Sequence, residues 1–278
     1  MATVILGLAS ALTWGAADFG GGLLARRTHL FSVVFFSQLV GAAIAFGLTI
    51  VRGETAPQTT DLVWSLLGGL TGGIGIAALY QALAVGRMGV VAPVTGVIAA
   101  LIPVTAGILL EGVPAPLVLV GIGLAVAAVI LVSRVRDDRV APSGLGLALI
   151  AGVSIGAFGV FIAQISEGHV FGPLMIIRAT EAVLIGTIVV VSRSAWRPDR
   201  RLVPAISAVG FLDMAGNGAF ILAVQSGALA VAAVLSSLYP VTTVILAAVI
   251  LRERVTRMHA VGIALAIAAI VCIAAGST

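Results

Sequence analysis

Ten apolar segments, with basic residues gathered almost entirely on one side of them, constrain this chain more than any other feature. They cover residues 3–24, 30–51, 62–85, 90–110, 117–133, 144–165, 170–191, 202–225, 229–251 and 258–275. Each is about 17–24 residues long, enough for a helix to cross a ~30 Å hydrocarbon layer. Arginines in alternate loops divide thirteen to one. One side carries Arg26, Arg27, Arg87, Arg134, Arg136, Arg139, Arg193, Arg197, Arg200, Arg201, Arg252, Arg254 and Arg257; the other carries Arg52, and Arg178 lies inside a span. Basic loops stay cytoplasmic, so both termini are expected outside, on the periplasmic side of an inner membrane.

Composition leaves little else. The chain is 60% hydrophobic and 9% charged, with mean hydropathy +1.23, whereas soluble domains carry about 25% charged residues. The loops are too short for a soluble domain. The pI near 10.5 does not indicate a nucleic-acid partner, because the arginines are spread thinly over span ends and form no phosphate-binding patch. All fifteen basic residues are Arg, which reads as the codon bias of a GC-rich genome. A single cysteine, Cys272, excludes an intrachain disulfide. The N-terminus lacks the basic flank and small-residue cleavage site of a signal peptide, so residues 3–24 are expected to stay as the first span.

The chain also repeats itself. Gly121-Ile122-Gly123-Leu124-Ala125-Val126-Ala127-Ala128-Val129-Ile130 returns, 141 residues later, as Gly262-Ile263-Ala264-Leu265-Ala266-Ile267-Ala268-Ala269-Ile270-Val271. Leu110-Glu111-Gly112-Val113 and Arg252-Glu253-Arg254-Val255 precede these stretches, and Pro103-Val104-Thr105 matches Pro240-Val241-Thr242 once gaps are allowed. The expected division is 1–133, a polar cytoplasmic linker at 134–143, and 144–278. Five spans per half is an odd number, so the halves enter the membrane from opposite faces. The fold class is therefore an all-α membrane protein of ten helices in two inverted five-helix repeats, an arrangement that in transporters encloses a midplane substrate site.

Ionisable groups within spans are few and mark function or pairing. Asp18 lies in span one, Arg178 and Glu181 in span seven, Asp213 in span eight. At 1.5 Å per residue, Glu181 and Asp213 fall near the midplane, roughly 15 Å deep. Arg178 and Glu181, spaced i,i+3, share a helix face. They read either as a self-neutralising buried charge pair or with Arg178 as anchor for a substrate carboxylate. Asp213 and Asn217, at i,i+4, share a face near Phe220, and a bond to a neighbouring helix competes with a cavity role. Asp213 and Glu181 are also candidates for proton exchange. Trp14, one turn before Asp18, either stacks on cargo or fills space between helices. Tyr80, Gln81 and Gln164 read as gate or packing residues, and Ser37 and Gln38 as groups that bond across helices. Phe158 and Tyr239 add aromatic surface. Pro93, Pro103 and Pro240 each remove a backbone bond and free the carbonyls of Gly89, Ala99 and Ser236. Spans four and nine correspond in the two halves, where interrupted helices mark a binding site. Gly68, Gly69, Gly72 and Gly73 form two overlapping Gly-x-x-x-Gly steps for close packing.

Val234-Leu235-Ser236-Ser237-Leu238-Tyr239-Pro240-Val241-Thr242, then Leu251-Arg252-Glu253-Arg254-Val255, then His259-Ala260-Val261-Gly262 resemble the EamA repeat of the drug/metabolite transporter superfamily. The first half is similar through Val90-Val91-Ala92-Pro93-Val94, Ile102-Pro103-Val104 and Glu111-Gly112-Val113-Pro114. It departs in having Glu-Gly where Gly-Glu is usual, and Arg252 replaces the turn glycine of the second half. The resemblance implies a carrier of the bacterial inner membrane. It extends to ten-span amino-acid and metabolite exporters, YddG-type aromatic amino-acid exporters among them.

No His-Glu-x-x-His, paired-cysteine, P-loop or Gly-x-Ser-x-Gly motif is present, so neither a metal nor another cofactor is expected. Sequence and resemblance together point to a secondary transporter and not an enzyme. It would work as a monomer in the lipid bilayer, by alternating access, exporting aromatic or large neutral amino acids. Multidrug or sugar/nucleotide-type carriage is the alternative within that superfamily. A membrane enzyme acting on lipid would need a nucleophile beside Asp18, Glu181 and Asp213. A pore would need rings of polar residues, and polar groups are sparse. The arginine split generates a direct test. A reporter active only in the cytoplasm should be silent after Thr278 and active within Arg134–Arg139; the reverse pattern refutes the topology.

Overall fold

The computed structural model describes residues 1–86, 88–133, 142–193, 196–252 and 257–276; most of the 134–143 linker, Glu253 and Arg254 therefore lie outside the described residues. Every regular element among them is helical. In lipid a backbone cannot find hydrogen-bond partners outside itself, and the helix satisfies each span internally. The helices are α1 (Ala2–Ala25), α2 (Leu30–Arg52), α3 (Thr59–Val85), α4 (Met88–Glu111), α5 (Pro116–Ser133), α6 (Pro142–Ile162), α7 (Phe171–Ser192), α8 (Val203–Gln225), α9 (Leu229–Ser236), α10 (Tyr239–Ile250) and α11 (Arg257–Gly276). Eight segments are long and apolar enough to cross a membrane, α9 and α10 counting as one, and shorter apolar stretches lie within α5 and α11. Ten spans result.

Two departures from the sequence expectation bear on the site. The sixth span stops at Ile162 instead of residue 165, because the Ser166 amide is drawn to Asp61 Oδ1 (2.9 Å), away from the helix. The ninth span is two helices. Pro240 has no N–H for the Ser236 carbonyl, and tighter bonds close the gap, Leu238 N to Leu235 O and Val241 N to Leu238 O. Pro240 thus opens α10 in its first turn, where proline is tolerated. Its counterpart, span four, keeps one continuous helix.

Much of the packing follows the inverted symmetry. α1 lies along α8 as α6 lies along α3; α1 meets α9 and α10 as α6 meets α4; α2 touches α8 as α7 touches α3. The α2–α7 and α5–α11 pairs are their own mates. Small residues allow this closeness. The α3 glycines face α6 and α7: a Cβ at Gly69 would overlap Thr180, and one at Gly72 would overlap Glu181.

The two ends are built differently. At the arginine-poor end, carboxylates of the first half hold the second. Glu54 accepts the amides of Val170, Phe171 and Gly172 at the start of α7, at 2.9–3.3 Å. Asp61 accepts both N–H and O–H of Ser166, each at 2.9 Å. Glu111 accepts the Leu229 amide at the start of α9, at 2.9 Å. These anions sit where helix N-termini present unpaired amides and partial positive charge. At the other end, Arg26 donates to Leu83 O and Gly86 O within one half.

Glu54→Ala should strip the α7 N-terminus of its acceptor and lower stability by about 1–3 kcal/mol, read as a lower melting temperature in detergent. Glu54→Gln should lose less. An unchanged melting point for the alanine variant contradicts a latch at this end.

Candidate functional site

The interior charges converge on Arg178. Its Nη1 donates to Gln38 Oε1 of α2 (2.6 Å) and Glu181 Oε2 of α7 (2.8 Å) and lies 2.9 Å from Asp213 Oδ2 of α8. The i,i+3 spacing brings Arg178 and Glu181 together as the sequence implied, but the pair is not self-contained, since Asp213 and Gln38 join it from two other helices. All four are buried, Arg178 at 2% exposure. Asn217, one turn after Asp213, donates Nδ2 to that residue's carbonyl (2.7 Å) and Oδ1 (3.1 Å). Asp18 on α1 is also buried and makes no hydrogen bond or ion pair among the described residues.

These groups border a cavity of about 50 Å³ between the two halves, lined by Trp14, Asp18, Gly72, Ile76, Leu79, Ile155, Phe158, Arg178, Glu181, Asp213, Asn217 and Tyr239. That space suits a few waters, so a larger solute requires it to widen. Gly72 has a steric role, because any side chain there would meet Glu181 and Phe158. Trp14 packs on Phe220 (ring centroids 5.5 Å apart) and edge-on to Tyr239 (6.4 Å). This aromatic cluster borders a second space of about 30 Å³ that reaches Pro103, Ser236 and Ser237. Among the described residues, no group of three or more His, Cys, Asp or Glu could hold a metal ion.

Of the residues singled out from sequence, Trp14, Asp18, Phe158, Arg178, Glu181, Asp213, Asn217 and Tyr239 therefore share one cavity. Others do not line it. Tyr80 is buried under Gly21, where a Cβ would overlap its ring, and its hydroxyl lies 3.5 Å from Ala17 O. It is a packing residue between α1 and α3. Gln81 is half-buried one position further round the helix. Gln164 falls in the turn after α6, displaced by the early end of that helix. Ser236 borders the second space and donates to Gly7 O (3.4 Å). Pro240 packs on α4, where a Cβ at Gly96 would overlap it. The Pro93 side chain lies outside the described ones. Among the described side chains α7 lines this cavity, through the charges at the centre, and α4 borders the second space through Ala99 and Pro103. Ile76, Leu79 and Ile155 escaped sequence reading because nothing separates them from other apolar span residues. Gln38 was legible as a polar residue within an apolar span, though not as a partner of Arg178.

A model described as the EamA-like transporter family matches residues 1–134 and again 142–275. Comparison with curated proteins found no match. Among solved structures, one described only as a crystal structure of a protein superposes with a TM-score of 0.74 at 19% identity, over 97% of this chain and 95% of its own. That likeness extends to the fold.

Arg178→Ala should leave Glu181 and Asp213 without their cation and destabilise the protein by about 3–5 kcal/mol. Adding Glu181→Ala should restore part of that loss, and Asp213 should account for the remainder. No rescue in detergent melting experiments overturns the pairing.

Proposed function

This chain belongs to the EamA-like transporter family, and from that premise we propose that it is a secondary transporter exporting aromatic or large neutral amino acids by alternating access. The moving units are the two five-span halves. A single chain contains both, so a monomer has a complete cavity. The proposed setting is the bacterial inner membrane with both termini periplasmic, in line with the arginine split.

The observation that carries the reading is the cavity where the halves meet, lined by aromatic side chains (Trp14, Phe158, Tyr239) and ionisable ones (Asp18, Arg178, Glu181, Asp213). A solute with an apolar body and a compact polar head matches both. Aromatic cargo gains about 0.5–1.5 kcal/mol on aromatic surfaces beyond area burial. Outward direction draws on the resemblance to amino-acid exporters; an inverted repeat is symmetric in principle, and the imposed gradient decides net flow.

Cells overproducing the protein should resist toxic amino-acid analogues and accumulate less labelled phenylalanine or methionine. In proteoliposomes the protein should support saturable counterflow of the same amino acids. Asp213→Asn should lower exchange about tenfold or more while membrane abundance changes little. Unchanged accumulation of every amino acid, alongside efflux of a cationic dye or a sugar, refutes the cargo assignment.

A further inference from the structure

At the central site the buried hydrogen-bonding atoms without partners include donors on one side and an acceptor on another, besides the Tyr239 hydroxyl, which can do either. Around Arg178 the unsatisfied atoms are donors: its Nε and Nη2, and the Nε2 of Gln38. The Gln38 amide orientation follows from its partner, since Oε1 accepts from Arg178 Nη1, leaving Nε2 as the unpaired end. The acceptors all crowd onto Nη1. The Nε and Nη2 of a guanidinium form a planar fork that matches the two oxygens of a carboxylate.

On α1 and α8 the unsatisfied capacity is for accepting. Asn217 Nδ2 faces two acceptors of Asp213, which fixes the amide orientation and leaves Oδ1 buried without a donor. Asp18 is buried, lines the cavity and has no ion pair among the described residues. The cavity lining also sets three carboxyl groups, Asp18, Glu181 and Asp213, against one guanidinium. Buried groups left unsatisfied are expensive, and this arrangement is met by a ligand carrying both an anion and a cation.

We propose that the cavity reads the zwitterionic head of its cargo at two separate places, the unpaired guanidinium donors of Arg178 taking the α-carboxylate and Asp18 with the Asn217 carbonyl taking the α-ammonium. The inference rests on the amino-acid reading above and deepens it. A compound that keeps the side chain but lacks either charged group leaves one set unpaired. Selectivity then comes from the head group, and the aromatic wall tolerates different side chains.

The test is counterflow of labelled phenylalanine by the full chain in proteoliposomes, with unlabelled phenylalanine, phenethylamine and 3-phenylpropionate as competitors. Each analogue should compete about 10- to 100-fold more weakly than phenylalanine. Asp18→Asn should narrow the gap to 3-phenylpropionate and leave the gap to phenethylamine unchanged. Should that variant fail to fold, the competitor series on the unmodified protein decides alone. Analogues that compete as well as phenylalanine overturn the two-place reading while leaving amino-acid transport intact, as do two gaps that shrink equally in Asp18→Asn. No exchange of any amino acid overturns both.

Discussion

A guanidinium held within a membrane-spanning bundle has to be surrounded, and the centre of this protein is organised by that requirement. Arg178 is buried, and its charge is met by Glu181 from its own helix, Asp213 from α8 and Gln38 from α2. The arrangement ties the second half to the first. It also demands that neighbouring helices come close, which explains the small residues around it. A Cβ at Gly41 would sit only 3.3 Å from the Arg178 side chain, and one at Gly72 would overlap Glu181. Interior charge and small residues are therefore one constraint: a short ion-pair network forms only where backbones can approach.

The backbone symmetry and the chemistry part company at this point. Much of the helix packing follows the pseudo-two-fold relation, although α1 packs on α3 without a comparable α6–α8 contact among the described residues. The polar groups of the centre do not follow it: Arg178, Glu181, Asp213 and Asn217 come from the second half, Asp18 and Gln38 from the first. The ends differ too. Glu54, Asp61 and Glu111 hold the arginine-poor end through amides at helix starts and one loop. In the alternating-access cycle proposed above, contacts would form at one end and release at the other, and carboxylate-to-amide bonds, which water can replace, suit that.

The break in the ninth span is a local consequence with a distant effect. Pro240 removes one backbone bond, and Leu235 and Leu238 take up tighter turns. Tyr239, carried on the first turn of α10, then reaches both the central cavity and the aromatic contact with Trp14. In span four, prolines leave the helix whole. A proline thus permits an interruption without dictating one; the packing around it settles the outcome.

The sequence alone determined the membrane class, the ten spans, the repeat and the family, because lipid imposes length and apolarity on every crossing and the arginines mark alternate loops. It also exposed most of the central site, since a charge or amide inside an apolar run stands out: Asp18, Gln38, Arg178, Glu181, Asp213 and Asn217 were all visible. Only the tertiary structure decided which of these meet. Spacing along one helix revealed the Arg178–Glu181 and Asp213–Asn217 pairs, but not that Gln38 and Asp213 reach Arg178 from other helices. Nor could it separate Tyr80, buried under Gly21, from Tyr239, which lines the cavity. Two tyrosines in apolar spans look alike in one dimension, and the rotation of each helix against its neighbours is set by packing between residues far apart in the chain.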